Sequence, residues 1–163
     1  MQRRHFLIGL ISSWLAFLHS TIARADIWVL VTKEEFDREM SAEESAADIK
    51  GRRPAPPAPH KSAGGPIISV RQPDQSKPIQ PPVTIRITFR AQEGATIDVK
   101  TFRALYGSMQ LDITQRLLEH AKLDERGLSA GNAQLPAGQH IVTLSIADNM
   151  HRVGALTVRF TVV

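Results

Sequence analysis

The side chains of this sequence best suited to chemistry are histidines, methionines and carboxylates, and their spacing is sparse. Four histidines lie beyond residue 25: His60, His120, His140 and His151. No two are spaced as H-x-H or H-x-x-x-H, the spacings that aim two imidazoles at one ion from a single strand or helix. The chain has no cysteine, which removes thiolate ligands and disulfides. Asp148, Met150 and His151 bring a carboxylate, a thioether and an imidazole into one short segment, and the last two suit copper. Glu93, Asp98, Asp148 and Asn149 carry oxygen ligands of the kind calcium takes, provided the fold gathers them at one end. Arg86, Arg90, Arg103 and Arg159 form an outward basic row without interleaved aromatics, which reads as a solvated face rather than a nucleic-acid site.

Catalytic signatures are missing. There is no G-x-S-x-G elbow, no H-E-x-x-H and no glycine-rich phosphate loop. Carboxylates are present, but no spacing sets two of them across a pocket. The expectation is a non-enzymatic protein without a cofactor.

The elements that must position these residues read mainly as strands. In the stretch from Leu135 to Val162, Val142, Leu144 and Ile146 alternate with Ile141, Thr143 and Ser145. Leu156, Val158, Phe160 and Val162 alternate with Thr157, Arg159 and Thr161. A period of two marks strands with one buried face, here a hairpin closed by the Asp148–Gly154 turn. Val83, Ile85, Ile87 and Phe89 give another alternating strand, and Phe102, Ala104 and Tyr106 share one side of the next. Ile67–Val70 is a short edge strand, and residues 128–135 a weak one. Ile113, Leu117, Leu118 and Ala121 fall on one face at helical spacing, so 112–121 reads as a short helix, with a further strand as the alternative.

The first part of the chain is different. Arg3 and Arg4 precede the apolar run Phe6–Leu18, and Ala23-Arg24-Ala25 is a small-x-small cleavage pattern. Residues 1–25 therefore read as a signal peptide, of Sec or twin-arginine type, whose 13 apolar residues fall short of the roughly 20 that span a bilayer. Without them the chain carries 17 basic and 16 acidic residues, so the basic balance of the full chain implies little about anionic partners. Residues 26–48 read as an acidic helical arm with eight acids and two bases. Thr32 and Glu35 form a capping box at its start. Its thin apolar face, Phe36, Met40 and Ala47, suggests a solvated helix; on a sharper reading Trp28 and Phe36 insert into a partner. Residues 49–65 read as a Pro-rich basic linker, with Arg53–His60 extended as polyproline II.

Six or seven short strands with turn signals between them are the pattern of an all-β fold. Gly94-Ala95-Thr96-Ile97-Asp98, then Leu135-Pro136-Ala137-Gly138-Gln139-His140 and a closing hairpin with an Asp turn, resemble bacterial immunoglobulin-like and cadherin-like domains of exported proteins. That resemblance covers residues 66–163. It implies an immunoglobulin-like antiparallel β-sandwich in an adhesive, scaffolding or accessory role, and carries over no catalytic residue. Asp148-Asn149-Met150-His151 is also similar to the Asp-Gly-His turn of periplasmic copper-resistance domains. The expected function is binding of another envelope protein or polymer from the periplasm or outside the cell. No nucleic acid is expected as partner, and a membrane only through the signal sequence during export. The alternative is a periplasmic copper-binding accessory protein with Asp148, Met150 and His151 as ligands.

Overall fold

The computed structural model describes residues 26–48 and 61–163. The expected signal peptide and the prolines of Arg53–His60 lie outside the described residues. In chain order the elements are β1 (Trp28–Val29), α1 (Lys33–Asp48), β2 (Ile67–Gln72), β3 (Val83–Arg90), β4 (Ile97–Tyr106), β5 (Leu111–Asp112), α2 (Thr114–Glu119), β6 (Ala121–Asp124), β7 (Gly127–Gln134), β8 (Gly138–Asp148) and β9 (Val153–Val162).

Two sheets pack face to face as a β-sandwich. One runs β1-β7-β3-β2, with β6 also paired to β7; the other runs β5-β4-β8-β9. All pairs are antiparallel except β1 with β7. In β3 the residues read as inward-facing are the more buried ones, but in β8 Thr143 and Ser145 are buried along with Val142, Leu144 and Ile146, so that strand is covered on both faces. Val83, Ile87 and Phe89 from the first sheet meet Phe102, Ala104, Tyr106, Leu144 and Ile146 from the second. The Phe89 and Phe102 rings lie 5.9 Å apart across the interface, within the range where tilted aromatic pairs attract. Residues 112–121 divide between β5, α2 and β6. In α2, Leu117 is buried and plugs the core, while the backbone N–H of Thr114 donates to the Asp112 carboxylate at 2.8 Å.

Three expectations change. Residues 28–39 are anchored in the fold rather than forming a free arm, while Lys33, Glu34, Asp37, Arg38, Met40, Ser41, Glu44 and Ser45 of α1 are exposed. Trp28 pairs in register with Ala133, and Trp28, Leu30 and Val31 are all buried in the core. The linker also ends earlier than expected. Ser62 exchanges hydrogen bonds with Val153, and Gly65 is buried. The basic row is split between the two sheets: Arg86 and Arg90 lie on β3, Arg103 on β4 and Arg159 on β9.

Candidate functional site

The helix α1 closes one end of the sandwich, and a cleft opens beside it. The capping box forms as the sequence spacing requires. Glu35 N–H donates to Thr32 Oγ1 at 3.2 Å, and Thr32 N–H donates to the Glu35 carboxylate at 2.9 Å. With the start so fixed, Glu35, Phe36, Glu39 and Glu43 recur at helical spacing on the side that meets the sandwich, while Glu34, Asp37, Ser41 and Glu44 stay exposed. Arg116 of α2 grips Glu35 with both arms of its guanidinium, at 2.7 and 2.8 Å, and also donates to the Leu30 carbonyl. That hydrogen bond holds the Glu35 carboxyl below the usual carboxylate range. Glu39 is buried and accepts the backbone N–H groups of Ser108 and Met109. Gly107, at φ +71°, has no room for a Cβ because the Glu39 carboxylate occupies that space.

Under Phe36 lies His140, only 1 % exposed. Its Nε2 is 2.9 Å from the Pro136 carbonyl and its Nδ1 is 3.0 Å from the Tyr106 hydroxyl. A carbonyl can only accept, so the proton resides on Nε2, and Nδ1 accepts from Tyr106. The ring is stacked on Phe160 at 5.4 Å and tilted against Phe36 at 5.1 Å. Burial lowers the His140 pKa, against the opposing pull of its bond to Pro136. Burial also raises the Tyr106 pKa, helped by the negative charges of Glu39, Glu43 and Glu35.

The cleft beside this stack has a volume of about 390 Å³. Glu43, Lys77, His140, Arg159, Phe160 and Thr161 are among the residues that line it. Its walls come from α1, from the β2–β3 connection and from β9. That connection is anchored here, with Ile79 N–H donating to the Thr161 carbonyl and Val163 N–H to the Ile79 carbonyl, both at 2.9 Å. One aromatic face, two exposed cations, one carboxylate and several main-chain groups suit the binding of a polar polymer. They provide no nucleophile–base pair. Between the sheets lies a second, half-open space of about 50 Å³ whose surface is apolar and is formed by Val70, Ile85, Val158 and Phe160 among others, with Gln72 also beside it.

The residues expected as sites fall elsewhere. Trp28 stacks on His120 at 4.5 Å and donates its indole N–H to the Gly131 carbonyl at 2.7 Å. Phe36 packs on His140 and against Gly138. Both anchors expected to enter a partner are engaged by the chain itself. At the opposite end of the sandwich Asp148 is buried, while Met150 and His151 are exposed. The Asp148 carboxylate accepts from the backbone N–H groups of Met150 and Arg152 and from Arg152 Nε, at 2.8 to 3.0 Å. Burial pushes the Asp148 pKa up, but these bonds hold it below the usual range. Arg152 also reaches Glu93 and the Gln92 carbonyl. A guanidinium thus stands between Asp148 and Glu93, in the position the calcium reading gave to a metal. Asp98 Oδ1 accepts from Lys100 N–H and Asn149 Oδ1 from Thr96 N–H. Asp148, Met150 and His151 do not present one ligand set, because the first turns inward and the other two outward. Among the described residues no group of three or more His, Cys, Asp or Glu side chains is placed to hold a metal ion.

Sequence reasoning missed the Tyr106–His140–Phe36 stack. The available signal was the burial parity of β8: His140 falls on the same side as Val142 and Leu144, and so had to face inward. Comparison with protein-family models, with curated proteins and with solved structures finds no match.

Proposed function

We propose that the chain is an exported, non-enzymatic protein of the cell envelope whose immunoglobulin-like sandwich binds another envelope protein or polymer. On this reading the first 25 residues direct export by the Sec or twin-arginine route, and the folded part works in the periplasm or outside the cell. The observation that carries the binding reading is the cleft of about 390 Å³ between α1 and β9. It combines the face of Phe160 with the exposed cations of Lys77 and Arg159 and the carboxylate of Glu43. A few polar groups around an aromatic floor are what recognition of a polar chain requires. Loops at the end of a sandwich and strands at its edge are where such folds bind.

The test is photo-crosslinking in intact cells. A photoreactive residue is placed at Lys77 or at Arg159, with Lys122 on the far edge as control, and adducts are identified by mass spectrometry. One specific envelope component recovered from the first two positions and not from Lys122 supports the reading. Recovery of the uncrosslinked chain alone from all three positions overturns it.

A further inference from the structure

Among the described residues the last strand, β9, forms a ladder with β8 alone and so lies at an edge of its sheet. Its register with β8 is unbroken from Val153 to Val162. Main-chain groups of successive residues therefore point alternately toward β8 and away from it, on the side where Pro66 packs on Gly154 and β2 approaches. The parity is fixed at both ends. Val153 bonds outward to Ser62 through both its N–H and its carbonyl. The Thr161 carbonyl and the Val163 N–H bond outward to Ile79, which forms a parallel bridge with this end of the strand. Between these two seats, Ala155, Thr157 and Arg159 share the outward parity, and among the described residues no hydrogen bond reaches their outward groups. The open stretch from Ala155 to Arg159 is about 14 Å long at roughly 3.4 Å per residue.

We infer that this open stretch of β9 takes up an extended peptide segment of the envelope partner, one that alternates apolar and acidic residues. The inference rests on the binding reading above and names the partner's chemistry. Two pieces of the chain, at Ser62 and Ile79, are already seated on the same edge, so the edge accepts extended backbone. Side chains of an added strand share faces with the residues opposite them. Those opposite Leu156 and Val158 turn toward the sandwich, where Val70, Ile85 and Phe160 surround an apolar space. Those opposite Thr157 and Arg159 turn outward. Arg159, with Lys77 across the adjoining cleft, matches a carboxylate there. Arg159 is also the one charge on the open stretch, where edges closed to other chains carry several.

Amide hydrogen exchange on the full chain tests this. The probe is a blocked peptide of about five alternating valines and glutamates, and the control is the same peptide with prolines in place of the glutamates. The expected result is exchange at Ala155, Thr157 and Arg159 slowed by about tenfold or more with the probe, no change with the control, and loss of the effect in Arg159→Glu. Unchanged exchange at all three amides overturns the inference. So does protection already present without the probe: if it grows with protein concentration the edge belongs to a second copy, and if it does not, the chain covers its own edge. A partner recovered by crosslinking with no protection at β9 would leave the binding reading standing and remove only this one.

Discussion

The Tyr106 hydroxyl donates to His140 Nδ1 over 3.0 Å, and both residues are buried. Because His140 Nε2 already serves the Pro136 carbonyl, the neutral ring satisfies both neighbours, with Nδ1 taking the Tyr106 proton. A proton on Nδ1 would turn the Tyr106 oxygen into the acceptor and leave the buried O–H without that partner. Replacing Tyr106 by Phe keeps the shape but leaves one buried ring nitrogen without its bond, and the loss expected is about 1–3 kcal/mol. Urea unfolding of the Tyr106→Phe variant at neutral pH measures it, and a midpoint equal to that of wild type would contradict the pairing.

The same pair sets a pH dependence. The folded-state pKa of His140 lies below its value in the unfolded chain, chiefly because of burial. The unfolded chain therefore takes up the proton first as pH falls below about 6.5, and stability decreases from there down to the folded pKa. Glu35 acts in a lower window. Its folded pKa is depressed by the bond from Arg116, so its contribution is complete above about 4.3 and is lost as pH falls through the folded value. Thermal unfolding followed from about pH 6.5 downward, above the Glu35 window, should show a slope in wild type that flattens in His140→Gln. An identical slope in both would assign it to other groups.

Removing the Arg116–Glu35 contact tests how α1 is held. The pair is bidentate but partly exposed, with 35 % of the Arg116 side chain and 15 % of the Glu35 side chain accessible, so Glu35→Gln should cost about 1 kcal/mol or less. Arg116→Met should cost more, since the Leu30 carbonyl also loses its donor. The α1 amides should exchange faster in both variants, and faster in Arg116→Met. Equal exchange in the two would mean that the Leu30 bond contributes nothing.

Some of this arrangement was legible in the sequence, and the reasons differ by residue. The hairpin of β8 and β9, the strand β3 and the capping box of α1 depend on neighbours two to four positions away, so their periodicity shows in the chain itself. The docking of residues 26–48 depends on Trp28 meeting Ala133, and a parallel pairing across that sequence distance leaves no local pattern. Residues 128–135 read as a weak strand in the sequence, and Gly131 and Asn132 disfavour strands. Yet β7 is bonded to β3 along one edge and to β6 and then β1 along the other, and at Gly127 a Cβ would meet the Ile87 carbonyl. The sequence places Asp148 at the start of the hairpin turn. Its turn geometry was right, but its burial comes from Arg152, whose guanidinium reaches back to it and across to Glu93.

Trp28 gives the sharpest distinction between a core residue and a docking residue. Its ring is 6 % exposed, stacked on His120 and bonded through its indole N–H to Gly131. A partner anchor could be truncated with little effect on folding; a core aromatic cannot. Trp28→Ala is expected to destabilise the chain by about 3–5 kcal/mol, close to the whole stability of a domain this size. Trp28→Phe keeps most of the apolar area and gives up the bond to Gly131, so it should cost about 1–2 kcal/mol. Urea midpoints of the two variants check both values. A Trp28→Ala protein as stable as wild type would return this residue to the surface, and with it the idea that residues 26–48 act as an arm.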